Sequence, residues 1–318
     1  MRRLLRTFLA APLLVALTLV LALAACDTDK GGGGGGTTTK PPATVDGIST
    51  KTGTYKEKLD VGGFGHREYL VHVPPKVAKG EWKDGRLKER LPVVLALHGG
   101  VANMGQMEKL TGFDRLADEH GFLAVYPDGF MMTWNAGDCC GAAKIGKIKD
   151  VDFLSKLIDK LNETGLVDPK RVYVTGFSNG AGMAYRMACE KADKIAAIGV
   201  VEGSLVTKCD PSRPVSAMIF HGTADKNVPF NGGGRRDIND SRGFPPVKDA
   251  VKFWREKAGL PDPHERVKAE TTGADCEATG KGDGGVEVTF CKIDGGRHQW
   301  PAGASQTLWD FFKDHPRS

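Results

Sequence analysis

Ser178 stands at the centre of the pentapeptide GFSNG, residues 176–180, in which a glycine lies two positions away on either side. A short apolar run precedes this pentapeptide, and a helical pattern follows it. A tight turn between a strand and a helix would force the serine side chain outward, and the glycines would avoid steric clashes there. The pattern therefore predicts a serine nucleophile on a strand–turn–helix elbow.

A nucleophilic serine needs a general base, and the base needs a carboxylate that orients it. His298 directly follows the last predicted strand, in the glycine-led segment DGGRHQWP. Asp225 follows another predicted strand, in HGTADKNVP, and His221 before it is interpreted as a structural neighbour. The order of Ser178, Asp225 and His298 at three strand ends predicts a catalytic triad.

Acyl transfer creates an oxyanion, which requires preorganised N–H donors. We expect one donor to be the backbone N–H of Asn179, the residue after the nucleophile. The segment after the apolar run at 92–97 reads HGGV, and its glycines would let the backbone approach a substrate closely. We expect the second donor to be the N–H of Gly100, with Val101 as the alternative.

Short apolar runs alternate with helical patterns along the rest of the chain. The runs are typical of parallel strands buried on both faces, and they lie at 92–97, 122–126, 171–175, 196–201 and 215–220, with a last strand at 286–293. A hairpin is expected at 56–73, with its turn near Gly62 and Gly63. Helical patterns cover 107–120, 150–162, 179–190, 246–258 and 305–313. The alternation predicts a single α/β domain over residues 47–318, with a mostly parallel sheet and helices on both faces.

The N-terminus has the pattern of an export signal. Residues 1–25 combine three arginines with an uncharged apolar stretch that could just span a bilayer. The sequence LAAC at 23–26 is typical of a bacterial lipoprotein signal, in which Cys26 is acylated and becomes the new N-terminus. Residues 26–46 are predicted to form a flexible tether, and no helix or strand is expected before Gly47. We expect an extracytoplasmic lipoprotein on the bacterial membrane, with a secreted protein as the alternative.

Six further cysteines predict up to three disulfides in an exported chain. They are Cys139, Cys140, Cys189, Cys209, Cys276 and Cys291. Cys276 and Cys291 flank a segment with a glycine-rich centre and are expected to pair across a hairpin. That pairing would leave Cys139 and Cys140 to bond with Cys189 and Cys209, in either order. Structural zinc favours CxxC pairs, which these spacings lack, so no metal is expected.

Composition and charge exclude some classes of protein. The 318 residues are 40% hydrophobic and 26% charged, as in globular proteins. The net charge of +5 falls to +2 without residues 1–25, because three basic residues and no acidic residue lie there. No basic run with interleaved aromatic residues is present, so nucleic acid is not an expected partner.

Six motifs occur in order between about residue 55 and residue 315 of the chain. They are HGG at 98–100, YPDG at 126–129, WNAGDCCG at 134–141, GFSNGAGMAY at 176–185, HGTAD at 221–225 and GGRHQWP at 295–301. Together they resemble the secreted poly(3-hydroxybutyrate) depolymerase-like esterases, a group similar to feruloyl and acetyl xylan esterases. The resemblance implies an α/β-hydrolase fold and the triad of Ser178, Asp225 and His298. Lys149 and Arg297 depart from the family pattern, and both are expected at the pocket rim.

The implied activity is hydrolysis of carboxylic esters through an acyl-enzyme, without cofactor or metal. Feruloyl, acetyl and short hydroxyalkanoate esters are the candidate substrates. Trp134 and Trp300 are candidate walls of the pocket, because either could stack on an aromatic acyl group or a sugar. An acyltransferase that uses the same acyl-enzyme is one alternative, and a catalytically silent binding protein of the cell surface is another.

Overall fold

Fourteen strands and eight α-helices occur in the computed structural model, which describes residues 40–62, 65–237 and 239–318. The strands are β1 (Thr44–Val45), β2 (Ile48–Ser49), β3 (Gly53–Asp60), β4 (His66–Val73), β5 (Trp82–Lys83), β6 (Arg86–Leu87), β7 (Leu91–Leu97), β8 (Leu123–Pro127), β9 (Val167–Phe177), β10 (Ala197–Val201), β11 (Ser216–Gly222), β12 (Glu265–Val267), β13 (Ala274–Ala278) and β14 (Val288–Ile293). The α-helices are α1 (Pro75–Lys79), α2 (Met104–Thr111), α3 (Phe113–His120), α4 (Gly141–Ile145), α5 (Asp150–Glu163), α6 (Asn179–Glu190), α7 (Val247–Lys257) and α8 (Ala304–Lys313).

Ten of these strands form one sheet, in the order β12-β13-β14-β11-β10-β9-β7-β8-β4-β3. The six strands from β14 to β8 in this order are parallel to one another. The two strands at each end of the sheet pair antiparallel with their neighbours. Every residue of β7, β10 and β11 is buried, which explains their continuous apolar character in the sequence. The predicted α/β fold with a mostly parallel sheet is confirmed.

Helices cover both faces of this sheet, because neighbouring side chains of a strand point to opposite faces. On β7, Val93 and Leu95 belong to one core cluster, which also contains the buried sides of α5 and α6. Val94 and Ala96 belong to a second cluster, with the buried sides of α3 and α8. The parallel strands are thus buried on both sides, and their carboxyl ends meet at one edge.

The predicted hairpin at 56–73 is confirmed by β3 and β4, which pair antiparallel from Gly53↔Val73 to Asp60↔His66. At its turn, the Gly62 N–H donates to the Asp60 side chain at 2.8 Å, whereas Gly63 lies outside the described residues.

One helix was predicted over 107–120, and this prediction is wrong. The segment contains α2 and α3, separated by Gly112 in the left-handed conformation at φ 59°. A capping box between Asn103 and Gln106 starts α2 earlier than predicted. Apolar periodicity continues across the break, and therefore did not reveal it.

The expectation of no strand before Gly47 is also wrong. Thr44–Val45 pairs with Ile48–Ser49 through a two-residue turn in which Asp46 and Gly47 both have positive φ. An Asp-Gly pair favours such a turn, and the turn lets Ile48 enter the core. Strand β1 therefore lies inside the predicted tether of residues 26–46.

The predicted signal at 1–25 and its lipidation residue Cys26 lie outside the described residues. Among residues 40–62, 65–237 and 239–318, no helix combines the length and apolar character needed to cross a membrane.

Three disulfides join the six cysteines of the described chain. The predicted bond between Cys276 and Cys291 is present, and it joins directly paired residues of β13 and β14. The other predicted pairing is wrong, because Cys189 bonds to Cys209 and Cys139 bonds to its neighbour Cys140. Cys189 lies at the end of α6, next to the segment that holds Cys209, whereas residues 139–140 lie in the separate loop before α4.

We predict that replacing Cys276 and Cys291 together by serine lowers the free energy of unfolding by about 3 kcal/mol. The bond closes a loop of 15 residues, and its loss releases that conformational entropy in the unfolded chain. Denaturant unfolding under oxidising conditions measures the change. An unfolding free energy within about 0.5 kcal/mol of the parent would contradict this assignment.

Candidate active site

Ser178 lies between β9 and α6 in a backbone conformation that non-glycine residues rarely adopt. Its φ is 53° and its ψ is −116°, and its N–H donates to the Val201 carbonyl at 2.9 Å. Such strained residues cluster at functional sites. The elbow brings Ser178 to the carboxyl edge of the sheet, where it lines a cavity.

The two glycines of the pentapeptide are required by close backbone packing. A Cβ on Gly176 would overlap the backbone of Gly180 one turn further on. A Cβ on Gly180 would overlap the carbonyl oxygens of Leu97 and His98 at the end of β7. The glycines thus let α6 start directly against β9 and β7, as the sequence predicted.

Asp225 and His298 meet at the same sheet edge, three residues after β11 and five residues after β14. His298 Nδ1 lies 2.7 Å from Asp225 Oδ2, and the Asp225 side chain is fully buried. Because an ionised carboxylate only accepts hydrogen bonds, Nδ1 carries the proton. The His298 ring packs against Phe177, the residue before Ser178, with ring centroids 4.9 Å apart.

Asp225 is held as a carboxylate by the donors around it. Its Oδ1 accepts the N–H groups of Asn227 at 2.7 Å and Val228 at 2.9 Å. Burial acts to raise the pKa of Asp225, but the hydrogen bonds from His221, His298 and Val228 outweigh burial and hold the pKa well below its usual range. Asp225 is therefore ionised throughout the range in which a histidine base would work.

The loop after β7 is fixed by the buried ring of His98. The Gly129 N–H donates to His98 Nε2 at 2.8 Å, so the proton of this imidazole is on Nδ1, which donates to the Gly99 carbonyl at 2.8 Å. Burial lowers the pKa of His98 and keeps the ring neutral. The carbonyl and N–H of a trans peptide point in opposite directions, so the Gly100 N–H points away from His98.

Both predicted oxyanion donors border the cavity. Gly100 and Asn179 line it together with Ser178. The Asn179 N–H belongs to the first turn of α6, where backbone N–H groups have no acceptor within the helix. Val101, the alternative donor, is excluded because its N–H donates to the Met132 carbonyl at 2.9 Å.

The prediction that Trp134 lines the pocket is wrong, because its side chain is fully buried. Its indole N–H donates to the His98 carbonyl at 2.9 Å, and its backbone N–H and carbonyl bond to the side chain of Asn179 at 2.7 and 2.9 Å. Trp300 does not line the cavity at Ser178 either: its indole N–H donates to Ser305 Oγ at 3.1 Å. Trp134 therefore links Asn179 to the segment after β7, the two places from which the oxyanion donors were predicted to come.

A second buried carboxyl group, which was not predicted from the sequence, lies beside Asp225 of the predicted triad. Glu202 directly follows β10, and it accepts the Gly222 N–H at 3.0 Å. Burial and a hydrogen bond with Asp225 raise the pKa of Glu202 to about 9. His221 is the expected structural neighbour: its Nε2–H donates mainly to the Val228 carbonyl at 2.8 Å and also faces Asp225 Oδ2 at 3.4 Å. The signal for Glu202 was its position at the end of a buried strand between those of Ser178 and Asp225.

The cavity at Ser178 has a volume of about 190 Å³ and one apolar wall. This wall is a small cluster of buried residues separate from the two main cores, with Cys140 packed against it. Its members are Cys139, Val206, Val228 and Phe244. Arg235 and Arg236 contribute polar lining. The cavity therefore offers an apolar surface next to the candidate nucleophile.

Residues 81–245, just over half of the chain, match the esterase PHB depolymerase family. Feruloyl esterase B of Piromyces equi is 32% identical over 236 residues, which cover 70% of this chain and 42% of that protein. The bifunctional acetylxylan esterase/xylanase XynS20E of Neocallimastix patriciarum is 28% identical over 264 residues, which cover 81% of this chain and 34% of that protein. This chain thus spans less than half the length of both relatives.

A solved acetyl xylan esterase from Aspergillus awamori has a similar fold, with a TM-score of 0.54 and 16% identity over 81% of this chain and 99% of that one. The parallel sheet and the serine elbow at its carboxyl edge define the α/β-hydrolase fold. Within that class, the chain belongs to the esterase PHB depolymerase family, and the predicted resemblance is confirmed.

We predict that Gly180→Ala abolishes most activity and destabilises the protein, because the added methyl group overlaps two carbonyl oxygens. The matched control is Gly105→Ala in α2, where a Cβ meets its nearest heavy atom only at 3.7 Å. Gly105 lies in the first turn of α2 without a positive φ, so alanine fits its backbone and this control should unfold at an equal or slightly higher temperature. Ester hydrolysis and thermal unfolding of both variants measure the difference, and equal behaviour would refute the packing argument.

Proposed function

We propose that this chain hydrolyses carboxylic esters, with Ser178 as nucleophile, His298 as general base and Asp225 as the orienting carboxylate. The observation that carries the proposal is the 2.7 Å hydrogen bond between His298 Nδ1 and Asp225 Oδ2, at the sheet edge that also holds the strained Ser178. Membership in an esterase family supports it.

In this mechanism, His298 Nε2 takes the proton of the Ser178 hydroxyl while Oγ attacks the ester carbonyl carbon. The N–H groups of Gly100 and Asn179 stabilise the oxyanion that develops. His298 then protonates the leaving alcohol, and the acyl group stays on Ser178. Water, activated by the same histidine, hydrolyses this acyl-enzyme and regenerates the serine. Asp225 stabilises the imidazolium that forms in each half.

The cavity supports a small acyl group as the bound part of the substrate. An engineered apolar cavity of about 150 Å³ holds benzene, so the 190 Å³ at Ser178 suits one aromatic ring or a short acyl chain. The apolar wall that includes Phe244 would contact this group. The names of the relatives, feruloyl esterase and acetylxylan esterase, are consistent with that size. We therefore propose feruloyl, acetyl or short hydroxyalkanoate esters as the substrate class.

We also propose an extracytoplasmic location. The three disulfides of the described chain are typical of proteins that fold in an oxidising compartment. The lipoprotein pattern that ends at Cys26 supports attachment to the bacterial membrane by a lipid anchor, with secretion as the alternative.

We predict that Ser178→Ala lowers kcat/KM at least about a thousandfold for whichever ester the parent hydrolyses, because the nucleophile is lost. The panel is p-nitrophenyl acetate, p-nitrophenyl butyrate, methyl ferulate, acetylated xylan and a 3-hydroxybutyrate oligomer. Labelling by a fluorophosphonate probe gives a second readout, since only a nucleophilic serine reacts.

The control is Ser212→Ala, which changes an exposed loop serine and should keep both activity and labelling. Equal rates for the parent and Ser178→Ala on a hydrolysed ester would refute the proposed nucleophile. Product formation that appears only with an added alcohol acceptor would replace hydrolysis by acyl transfer.

We predict that Phe244→Ala raises KM for methyl ferulate about tenfold and KM for p-nitrophenyl acetate less than threefold. A ring in the cavity loses its aromatic contact, which is worth about 1–3 kcal/mol, whereas an acetyl group barely reaches this wall. Steady-state kinetics on both esters measures the ratio. Parallel changes for the two esters would contradict the proposed position of the acyl group.

A further inference from the structure

Glu202 is a buried acid that the mechanism above does not use. Its side chain is 1% exposed, and it follows β10, which lies between the strands that lead to Ser178 and Asp225. Both carboxyl oxygens accept from the Gly222 N–H, at 3.0 and 3.2 Å. Two titratable groups face the Glu202 carboxyl group: the Asp225 carboxylate and His221 Nε2, the latter at 3.4 Å. His298 lies on the other side of Asp225, with its Nδ1 2.7 Å from the Asp225 carboxylate.

A carboxyl oxygen of Glu202 lies within 4.8 Å of one of Asp225, and both carboxyl groups lie 3.4 Å from His221 Nε2. Two buried carboxyl groups this close are stable only with one proton between them. Asp225 is the ionised partner, because it accepts from His298 and from the N–H groups of Asn227 and Val228. Glu202 has only one backbone donor, and burial there disfavours a charge. We therefore expect the proton on Glu202, with the Asp225 carboxylate as the nearest charged acceptor for its O–H.

A bound cation is the alternative to a proton at this cluster, because Glu202, His221 and Asp225 place three possible ligand atoms within 4.8 Å of one another. These atoms already have hydrogen-bond partners. His221 Nε2 carries a proton that it donates to the Val228 carbonyl, and Asp225 Oδ2 accepts from His298. A protonated imidazole nitrogen cannot bind a metal ion, so the cluster functions as a hydrogen-bond network.

We propose that Glu202, in its neutral form, is a positioning residue for the proposed esterase reaction. Its O–H holds the Asp225 carboxylate in the orientation that accepts the His298 Nδ1–H, and loss of that proton at alkaline pH weakens catalysis. The inference rests on the proposed triad, since Glu202 acts only through Asp225 and His298. Glu202 would thus make the activity depend on pH although its side chain does not contact the substrate.

Glu202→Gln and Glu202→Ala test the role of the hydrogen. Glutamine keeps a neutral donor for Asp225 and an acceptor for the Gly222 N–H, whereas alanine removes both. We predict that alanine lowers kcat about 10- to 100-fold at neutral pH with little change in KM, since a hydrogen bond to a charged group is lost. Glutamine should restore kcat to within about threefold of the parent.

The pH profile separates positioning from a packing role. Above a pH of about 9, kcat/KM of the parent should fall as Glu202 ionises, because a second negative charge then faces Asp225. Glu202→Gln should lack this fall, and the control Glu190→Gln, in an exposed ion pair with Arg186 on α6, should retain it. The proposal is overturned if Glu202→Gln keeps the parental alkaline fall, or if Glu202→Ala matches the parent in kcat.

A readout independent of activity distinguishes failure of this inference from failure of the proposed function. The folded parent keeps a proton on Glu202 that the unfolded chain releases above a pH of about 4.5, so its stability falls with rising pH relative to Glu202→Gln. The difference in Tm between Glu202→Gln and the parent should widen from pH 4.5 to about 9. A constant difference shows an ionised Glu202 and overturns the inference, whereas equal activity of Ser178→Ala and the parent would refute the proposed function alone.

Discussion

The close approach of the start of α6 to the end of β7 determines the geometry of the site. Gly180 packs against the carbonyl oxygens of Leu97 and His98, with no space for a Cβ. This approach places the first turn of α6 beside Gly100, and it requires Ser178 to turn the chain at positive φ. Strain of this kind costs about 1–3 kcal/mol and persists only where the surrounding packing enforces it.

A buried polar network holds this approach in place. Trp134 bonds through its backbone to the Asn179 side chain and through its indole to the His98 carbonyl, and His98 in turn bonds to Gly99 and Gly129. A buried polar group that loses its partner costs about 1–3 kcal/mol, so each member restrains the others. The two N–H groups proposed to stabilise the oxyanion are therefore fixed before substrate binds, which is what electrostatic catalysis requires.

The positions of Ser178, Asp225 and His298 were accessible from sequence because each follows a recognisable buried strand. The carboxyl ends of parallel strands lie at one edge of the sheet, so residues that follow different strands were predictable as neighbours from local patterns alone. Trp134 was misinterpreted because a tryptophan in a loop motif carries no sign of whether its ring is buried. The prediction that Cys139 and Cys140 bond to Cys189 and Cys209 failed for a similar reason. Spacing along the sequence does not show which cysteines are neighbours in the fold, where Cys189 bonds to Cys209 and residues 139–140 bond to each other.

Glu202 also follows a buried strand directly, but a triad needs only one orienting acid, so this position alone did not indicate a role. Its role depends on a proton count that sequence does not give. Asp225 accepts hydrogen bonds from three nitrogen donors and stays ionised. The neighbouring carboxyl group of Glu202 is therefore stable only in its neutral form. The two acids are thus expected in opposite protonation states within one buried network. In the proposed mechanism, Asp225 supplies the charge that stabilises an imidazolium, and Glu202 supplies a donor that fixes the orientation of the Asp225 carboxylate.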